Sequence, residues 1–236
     1  MIDECKKENT ELKSFNPIIA ECNDSRLNNI THRILNRENV FEAIENVKMD
    51  FELGDTGAGK GMICHGLKGG IGSSSRIFCI AEKEFTLGVL VLTNHGKLED
   101  LIVNGENIGE KISKKINAEK TSDKGSVIII FATDLPLTSR QLKRVAKRAS
   151  VGLARLGSYI GHGSGEIVMG FSTANVINSK CSDIFSVKIT PEDKLDMPFR
   201  AIAEATEEAV LNSMMNSEDI IGYSGTKILS LRNFLK

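Results

Sequence analysis

The stretch that decides the fold is residues 125–157, GSVIIIFATDLPLTSRQLKRVAKRASVGLARLG. Its first third is a near-continuous run of β-branched and aromatic residues, which is typical of a strand buried on both faces. Apolar side chains then recur at helical spacing from Leu142 to Leu156, which predicts an amphipathic helix that Ser139 could cap. A buried strand followed directly by such a helix predicts a mixed α/β protein with layered packing.

Patterns elsewhere in the chain predict more strands and helices. A helix capped by Asn36 is predicted, with an apolar stripe of Val40, Phe41, Ile44 and Val47. Apolar runs, hairpin signals and polar stretches predict the remaining segments: a short strand at 16–24, a hairpin of 76–81 and 85–94 around the turn 82–84, an exposed linker at 105–125, strands at 166–175 and 183–190, and a helix at 198–219.

Composition excludes several classes of protein. The chain has 236 residues, 41% of them apolar, which suits one globular domain, and its net charge of −1 favours neither a nucleic-acid nor a membrane partner. No apolar run approaches the ~20 residues of a membrane-spanning helix. The first residues are charged and lack the apolar core of an export signal. With five cysteines and no C-x-x-C spacing, we expect reduced thiols in the cytoplasm.

Residues 54–62, GDTGAGKGM, resemble a phosphate-binding loop. Such a loop follows a buried strand, opens a helix, and places Ser or Thr after its lysine. Here the preceding residues are charged, the following ones are rich in glycine, and Gly61 follows Lys60. Nucleotide binding is therefore a remote alternative, and we interpret the glycines as permitting close backbone approach.

Candidate metal ligands are scattered along the chain: Cys64, His65, Cys79, His95 and His162. None of them shows the spacing of a zinc site, so the sequence predicts no metal.

The junction between Gly125 and Ser126 is the most informative boundary. A polar loop ends at the glycine, and the serine opens the most apolar strand of the chain. One interpretation is an ordinary strand start, because Gly-Ser is a common turn dipeptide. The other is a self-cleaving bond: the Ser126 hydroxyl attacks the preceding carbonyl, and the released α-amine, with a pKa of ~7.7–8.0, becomes the base for that hydroxyl. Both interpretations are open from spacing alone.

A family resemblance favours the self-cleaving bond. The stretch 125–157 resembles the nucleophile region of the DmpA-type L-aminopeptidase/D-esterase family, N-terminal-nucleophile hydrolases that include the β-peptidyl aminopeptidases. The similarity extends in one order through NPIIAECND, GAGKGMICHGLKGGIGSSSR and LTNHG before that stretch, and through GSGEIVMGFSTAN and ATEEAVLNSM after it. It implies a four-layer α/β/β/α sandwich of the DmpA/ornithine-acetyltransferase type.

The resemblance also implies roles for individual residues. Ser126 matches the nucleophile, and Gly125-Ser126 matches the processing bond. Asn94 in TNHG matches the asparagine whose amide lines the oxyanion hole, a kind of donor suited to a tetrahedral intermediate. Ser164 and Glu166 in GSGE match a serine and an acidic residue beside the nucleophile. Ser164 would hydrogen-bond Ser126, and Glu166 would orient Ser164 or hold an ammonium group.

Two features depart from the family pattern. Asn23 stands where some members have a tyrosine in the substrate pocket, so it is a candidate substrate contact. Family members also carry a long N-terminal segment, whereas the similarity here begins about fifteen residues after Met1. We therefore expect an N-terminally truncated version of the fold.

The implied activity is serine aminopeptidase action on short peptides, amides or esters, without a cofactor. We expect a single domain, 1–236, that cleaves itself into 1–125 and 126–236 and assembles into homo-oligomers of that pair. One alternative is an inactive remnant or structural subunit. The other is acyl transfer of the ornithine-acetyltransferase kind, for which a threonine nucleophile would be expected in place of Ser126.

Overall fold

A computed structural model describes residues 16–117, 125–177 and 184–235. Its helices are α1 (Arg37–Glu45), α2 (Ile108–Ile116), α3 (Ser139–Arg155) and α4 (Asp196–Met215). Its strands are β1 (Ile63–Cys64), β2 (Leu67–Lys68), β3 (Ile71–Ile80), β4 (Lys83–Asn94), β5 (Ile102–Val103), β6 (Glu106–Asn107), β7 (Ser126–Thr133), β8 (Gly165–Ser172), β9 (Ile220–Ile221) and β10 (Lys227–Ile228). Short 3₁₀ turns occupy Gly57–Gly61, Leu98–Asp100, Glu192–Lys194 and Leu231–Asn233.

The central sheet has the strand order β3-β4-β7-β8. Its first two pairings are antiparallel and the β7–β8 pairing is parallel, so the sheet is mixed. The predicted β-branched run is β7, with Val127 and Ile129 fully buried. Helices α3 and α4 pack on each other, and both contact the sheet. The mixed α/β class predicted from the sequence is the class observed.

The β3–β4 hairpin is longer than predicted and turns at a different place. Ile80 pairs with Lys83, so the connecting residues are Ala81 and Glu82, both with positive φ (49° and 62°). Two successive residues with positive φ make the tight type of turn that matches the twist of the strands. The prediction of a turn over residues 82–84 was wrong by one residue because neither Ala nor Glu signals this conformation.

Helix α3 begins at Ser139, and the residue that caps it is Thr138, not Ser139 as predicted. The Thr138 side chain accepts from the Gln141 N–H, and the Gln141 side chain accepts from the Thr138 N–H, which forms a reciprocal capping box. Val145, Ala149 and Leu153 lie in the core, as their spacing predicts.

The sheet face away from the helices is covered only in part by the described residues. Cys22 and Met62 pack against Ile128 on this face. Ile77, Leu90, Ile167 and Phe171 remain at least one-third exposed. No helix in the described ranges is long and apolar enough to cross a membrane.

The prediction of an exposed linker at 105–125 was wrong for its first half. Residues 105–117 hold β6 and α2, which Asn107 caps by accepting from the Glu110 N–H. Ile112 of α2 is buried in the core. The prediction gave more weight to the polar composition of this stretch than to its isoleucines at four-residue spacing, which indicate a helix. Residues 118–124 lie outside the described residues.

Two predicted strands are absent from the described chain. Residues 16–24 form no strand, and Ile18 and Ile19 are exposed. Residues 184–190 are also irregular, because the Asn175 side chain pairs with both the N–H and the C=O of Lys188 in place of a strand ladder. Helix α1 exists and Asn36 caps it, with Asn39 completing the capping box. However, none of its residues is buried, so its predicted apolar stripe covers no core in this structure.

Candidate active site

Three strand ends meet at Ser126. It is the first residue of β7 and pairs with Asn94, the last residue of β4, on one side. On the other side it pairs with Gly165, the first residue of β8. The register therefore places a hydroxyl beside a side-chain amide and beside the GSGE segment at one end of the sheet. The predicted motifs TNHG, Gly125-Ser126 and GSGE therefore meet here although they are far apart in the sequence.

Gly125 is held in a narrow space just before the strand. Its carbonyl oxygen accepts a hydrogen bond of 3.0 Å from the Gly165 N–H. A Cβ atom at this position would lie 2.2 Å from the Asn94 carbonyl oxygen and 2.5 Å from the His95 Cα. Such distances are far inside van der Waals contact, so the position requires glycine for close backbone approach. The Gly165 N–H was not identified from the sequence, since a main-chain donor has no residue-type signature.

The Asn94 side chain is fixed at both ends. Its Oδ1 accepts from the Ile63 N–H at 3.0 Å, and its Nδ2 donates to the Asn23 carbonyl oxygen at 3.0 Å. An amide nitrogen carries two N–H donors, so the Asn23 contact uses only one of them. The orientation is therefore set by the main chain, and a second donor is left for another acceptor.

Ser164 and Glu166 lie on either side of Gly165 in sequence. The Ser164 hydroxyl donates to Glu166 Oε1 at 2.5 Å, and the Ser164 N–H donates to the Gly161 carbonyl at 2.9 Å. Gly165 is the β8 partner of Ser126, so the two residues are the sequence neighbours of that partner. The Ser164 hydroxyl is hydrogen-bonded to Glu166 and not to Ser126 as predicted. A serine hydrogen-bonded to a carboxylate has a fixed orientation, which suits a positioning role.

Asn23 reaches this region through its main chain. Its carbonyl accepts from Asn94, whereas its own Oδ1 accepts from the Ser25 N–H at 2.9 Å. Asn23 also lines an open groove of about 1080 Å³ that runs along residues 21–35 toward Tyr223. The predicted candidate for substrate contact thus lies between the oxyanion candidate and a groove.

Cys22 is a buried neighbour of Ser126 that sequence reasoning treated only as a thiol. Its Sγ donates to the Leu92 carbonyl at 3.8 Å. Burial raises the pKa of the Cys22 thiol, and hydrogen bonding with the Ser126 side chain opposes that shift in part. The thiol is therefore neutral near pH 7, and it packs beside the hydroxyl without competing as a nucleophile.

Lys68 is an internal clamp: its side chain binds main-chain carbonyls of the glycine-rich tract, residues 54–72. It is fully buried, and its ammonium donates to the carbonyls of Gly59, Met62 and Gly69 at 2.7, 3.0 and 2.7 Å. Burial lowers the Lys68 pKa to about 8, against the opposing effect of the Asp55 carboxylate. Sequence reasoning missed this residue. The only available signal was a lysine set among apolar and glycine residues.

The glycines of residues 54–72 allow main chains to touch. Cβ atoms at Gly59 and Gly70 would lie 2.3 and 2.0 Å from the Gly54 carbonyl oxygen. Thr93, the neighbour of Asn94, accepts from the Gly70 N–H and shares a hydrogen bond of 2.7 Å with Ser213 of α4. The tract is thus locked to the strand that carries Asn94.

The geometry of a phosphate-binding loop is absent from this part of the described chain. Residues 57–61 form a 3₁₀ turn, and no strand of the described chain leads into it. The interpretation of the glycines as a means of close backbone approach fits the structure.

Three of the five scattered metal-ligand candidates lie close together, next to the end of β4 that carries Asn94. Cys64, His65 and His95 are buried, and a ligand atom of each lies within 4.8 Å of the other two. Burial, and then the neighbouring His65, lower the His95 pKa to about 3, so its ring is neutral. Cys79 lies apart in β3 and is exposed. Spacing along the sequence did not reveal this group, because the end of β1, the turn after it and the residue after β4 supply it jointly.

Comparisons with known proteins show which family the chain is similar to. A protein-family model described as Peptidase family S58 matches residues 1–228. The chain is 38% identical over 229 residues to the β-peptidyl aminopeptidase BapA of Sphingosinicella xenopeptidilytica, covering 91% of this chain and 57% of that protein.

Solved structures are similar over most of the chain. The PH0078 protein of Pyrococcus horikoshii OT3 superposes with a TM-score of 0.89 at 44% identity, over 98% of this chain and 64% of that one. The L-aminopeptidase D-Ala-esterase/amidase of Ochrobactrum anthropi, described as a variant of the Ntn-hydrolase fold, superposes with a TM-score of 0.86 at 32% identity, over 97% and 64%. The predicted fold class is thereby confirmed. The chain spans less than two thirds of the length of each of these relatives.

Proposed function

The chain belongs to peptidase family S58, and on that basis we propose that it is a self-processing serine aminopeptidase with Ser126 as its nucleophile. The observation that carries the proposal is the Gly125–Ser126 bond at the start of β7. Its carbonyl accepts from the Gly165 N–H, and its serine lies opposite Asn94. One bond therefore has a nucleophile, a polarised carbonyl and an amide donor close by.

Self-processing begins when Ser126 Oγ attacks the carbonyl carbon of Gly125. The Gly165 N–H stabilises the negative charge that develops on that carbonyl oxygen. The C–N bond breaks, the nitrogen takes up the proton that the Ser126 hydroxyl gives up and becomes the α-amine, and the Gly125 acyl group remains as an ester on Oγ. Water then hydrolyses the ester, which gives residues 1–125 and 126–236. This division is part of the proposal.

Turnover uses the new N-terminus. The α-amine of Ser126 has an ordinary pKa of ~7.7–8.0 and accepts the proton of its own hydroxyl near neutral pH. Oγ attacks the first amide or ester carbonyl of the substrate, and the Asn94 Nδ2 donates to the oxyanion. The leaving amine or alcohol departs, and water releases the acyl group from Ser126. Glu166, which holds Ser164 at 2.5 Å, is the candidate partner for the substrate's ammonium group.

The proposed substrate is a short peptide, amide or ester with a terminal ammonium group. Its charge would lie near Glu166, and its other end would extend toward the groove that Asn23 lines. The proposed chemistry uses side chains, main-chain donors and water. Assembly of processed pairs into homo-oligomers and a cytoplasmic location are further parts of the proposal, which size-exclusion chromatography and cell fractionation test.

Hydrolysis of aminoacyl p-nitroanilides by the processed chain tests the function. We expect release of p-nitroaniline that Ser126→Ala abolishes and that Cys79→Ser, an exposed substitution outside the site, leaves unchanged. A processed protein that hydrolyses no aminoacyl amide or ester in a broad panel would contradict the aminopeptidase proposal.

The second candidate function is a structural subunit without activity. The observation that favours it is the exposed apolar face of the sheet, with Ile77, Ile167 and Phe171, which resembles an interface more than a solvent surface. An uncut chain that forms a stable complex and hydrolyses nothing would support this alternative. Acyl transfer shares the same acyl-enzyme, and product analysis with added amine acceptors distinguishes it from hydrolysis.

A further inference from the structure

The buried group of Cys64, His65 and His95, next to Asn94, has the composition of a metal site. Cys64, His65 and His95 are each at most 1% exposed, and a ligand atom of each lies within 4.8 Å of the others. The closest recorded approach of two ligand atoms is 4.0 Å, between Cys64 Sγ and His95 Nδ1. Bonds of about 2.3 Å to sulfur and 2.0 Å to nitrogen, the zinc values, put these atoms about 3.5 Å apart around one ion. Closing the site around one ion therefore moves the closest pair together by about 0.5 Å and any pair at the 4.8 Å limit by about 1.3 Å.

The His65 ring has the tautomer that a ligand needs. Its Nδ1 lies 3.0 Å from the Lys97 carbonyl oxygen, and because a carbonyl can only accept, Nδ1 carries the proton. The Nε2 lone pair is then the basic one. Histidines that bind metals commonly donate their other N–H to a carbonyl in this way.

The main chain is shaped to hold these side chains. His65 adopts a left-handed φ of 47°, a conformation that non-glycine residues adopt at a cost and that recurs at functional sites. Its N–H donates to the His95 carbonyl at 2.7 Å, which ties the two histidines together. A Cβ at Gly96 would lie 2.6 Å from the His65 ring, so glycine there makes room for that ring.

Charge decides which ion fits. The group contains one thiol and two neutral imidazoles, so a bound thiolate supplies a single negative charge. A monovalent ion is neutralised by it, whereas a divalent ion leaves a net positive charge in a fully buried place. Thiolate and imidazole are also ligands for soft Cu(I).

We propose that Cys64, His65 and His95 form a site for one soft monovalent cation of the Cu(I) or Ag(I) kind. On binding, the Cys64 S–H bond breaks, a metal–sulfur bond forms, and the proton leaves to solvent, with no change of oxidation state. The ion joins the β1–β2 turn to the residue that follows Asn94. Its role is therefore to hold that segment, separate from the chemistry proposed for Ser126, and the proposal stands independently of that function.

Anaerobic titration of the full chain with Cu(I), in competition with bathocuproine disulfonate, tests the site. We expect one tight equivalent that Cys64→Ser removes and that His95→Gln weakens at least about tenfold. Cys79→Ser, which changes an exposed thiol outside the group, is the matched control and retains the tight equivalent. Cys64→Ser that titrates like the unaltered chain would overturn the proposal.

X-ray absorption at the copper edge on the unaltered chain provides a test that needs no variant. We expect one sulfur and two imidazole nitrogens around the ion. Two or more sulfur ligands, or no imidazole, would overturn the proposal, because the described group offers a single thiol. Displacement of Cu(I) by an equal concentration of Zn²⁺ would overturn its assignment to a monovalent ion.

Discussion

Ser126 lies directly opposite Asn94 in the antiparallel ladder that joins β7 to β4. This pairing makes the position of a side-chain amide relative to the serine a property of the sheet register. A slip of one residue would turn one of the two side chains to the other face. The site's precision therefore depends on the same hydrogen bonds that hold the core together.

Asn94→Asp removes the donors of this side chain, including the one bound to the Asn23 carbonyl, and keeps its acceptor contact. A carboxylate still accepts from the Ile63 N–H but has no N–H to donate. We expect turnover of an aminoacyl p-nitroanilide to fall by about 10²–10³-fold, the usual cost of one oxyanion donor. Steady-state kinetics of the processed chain measure the effect. Turnover at the unaltered rate would show that Asn94 is not a donor in the reaction.

Gly125→Ala tests the close approach at the processing bond. The new Cβ would lie 2.2 Å from the Asn94 carbonyl oxygen, so β4 and the residue before β7 must separate. We expect processing to slow at least about tenfold, since overpacking of this kind typically costs 1–3 kcal/mol.

Gly165→Ala is the matched control for that substitution. A Cβ at Gly165 meets no atom within 4 Å, and its N–H to the Gly125 carbonyl is retained. The appearance of the two fragments on a gel measures the processing rate of each variant. Equal slowing by both substitutions would contradict the steric account of Gly125.

Lys68→Met removes the internal clamp of the glycine-rich tract. Three buried carbonyls lose their donor at once. We expect the free energy of unfolding to fall by about 2–4 kcal/mol, because hydrogen bonds to charged groups contribute about 1.5–3 kcal/mol and lost partners remain desolvated. Urea denaturation measures this change. Lys60→Met, at an exposed lysine of the same tract, should change it by less than about 0.5 kcal/mol.

The pH dependence of stability provides a second test of Lys68. Its pKa is about 8 in the folded chain and 10.5 in the reference state. Between these values the unfolded chain binds more protons, so stability rises with pH in this window, and the burial penalty is fully present below it. The difference in unfolding free energy between the unaltered chain and Lys68→Met should therefore grow from pH 8 to 10.5. A constant difference across the window would contradict the buried-lysine account.

The parts of the fold predicted from sequence are those with strong local patterns. The apolar run of β7 and the helical spacing of α3 each identify their element, because burial on two faces or on one stripe dictates residue type. Helix α1 shows the limit of this reasoning. Its apolar spacing predicts a packed face, yet periodicity cannot say what that face packs against, and none of its residues is buried.

The candidate site divides in the same way. Asn94, Ser164 and Glu166 were predicted from side chains within quoted motifs, and the sheet register brings the strand ends that carry them to Ser126. The Gly165 N–H and the Lys68 clamp were missed because one is a main-chain donor and the other binds main-chain acceptors. Main-chain donors and acceptors become visible only when the backbone is folded, since almost every residue type supplies them.

The intact mass of the purified, denatured chain tests the central claim most directly. The account predicts two species whose masses correspond to residues 1–125 and 126–236, with an N-terminal serine on the second. Ser126→Ala should give one uncut chain, which excludes cleavage by a contaminating protease. A single full-length mass that persists through long incubation of the unaltered chain would contradict self-processing at Gly125–Ser126.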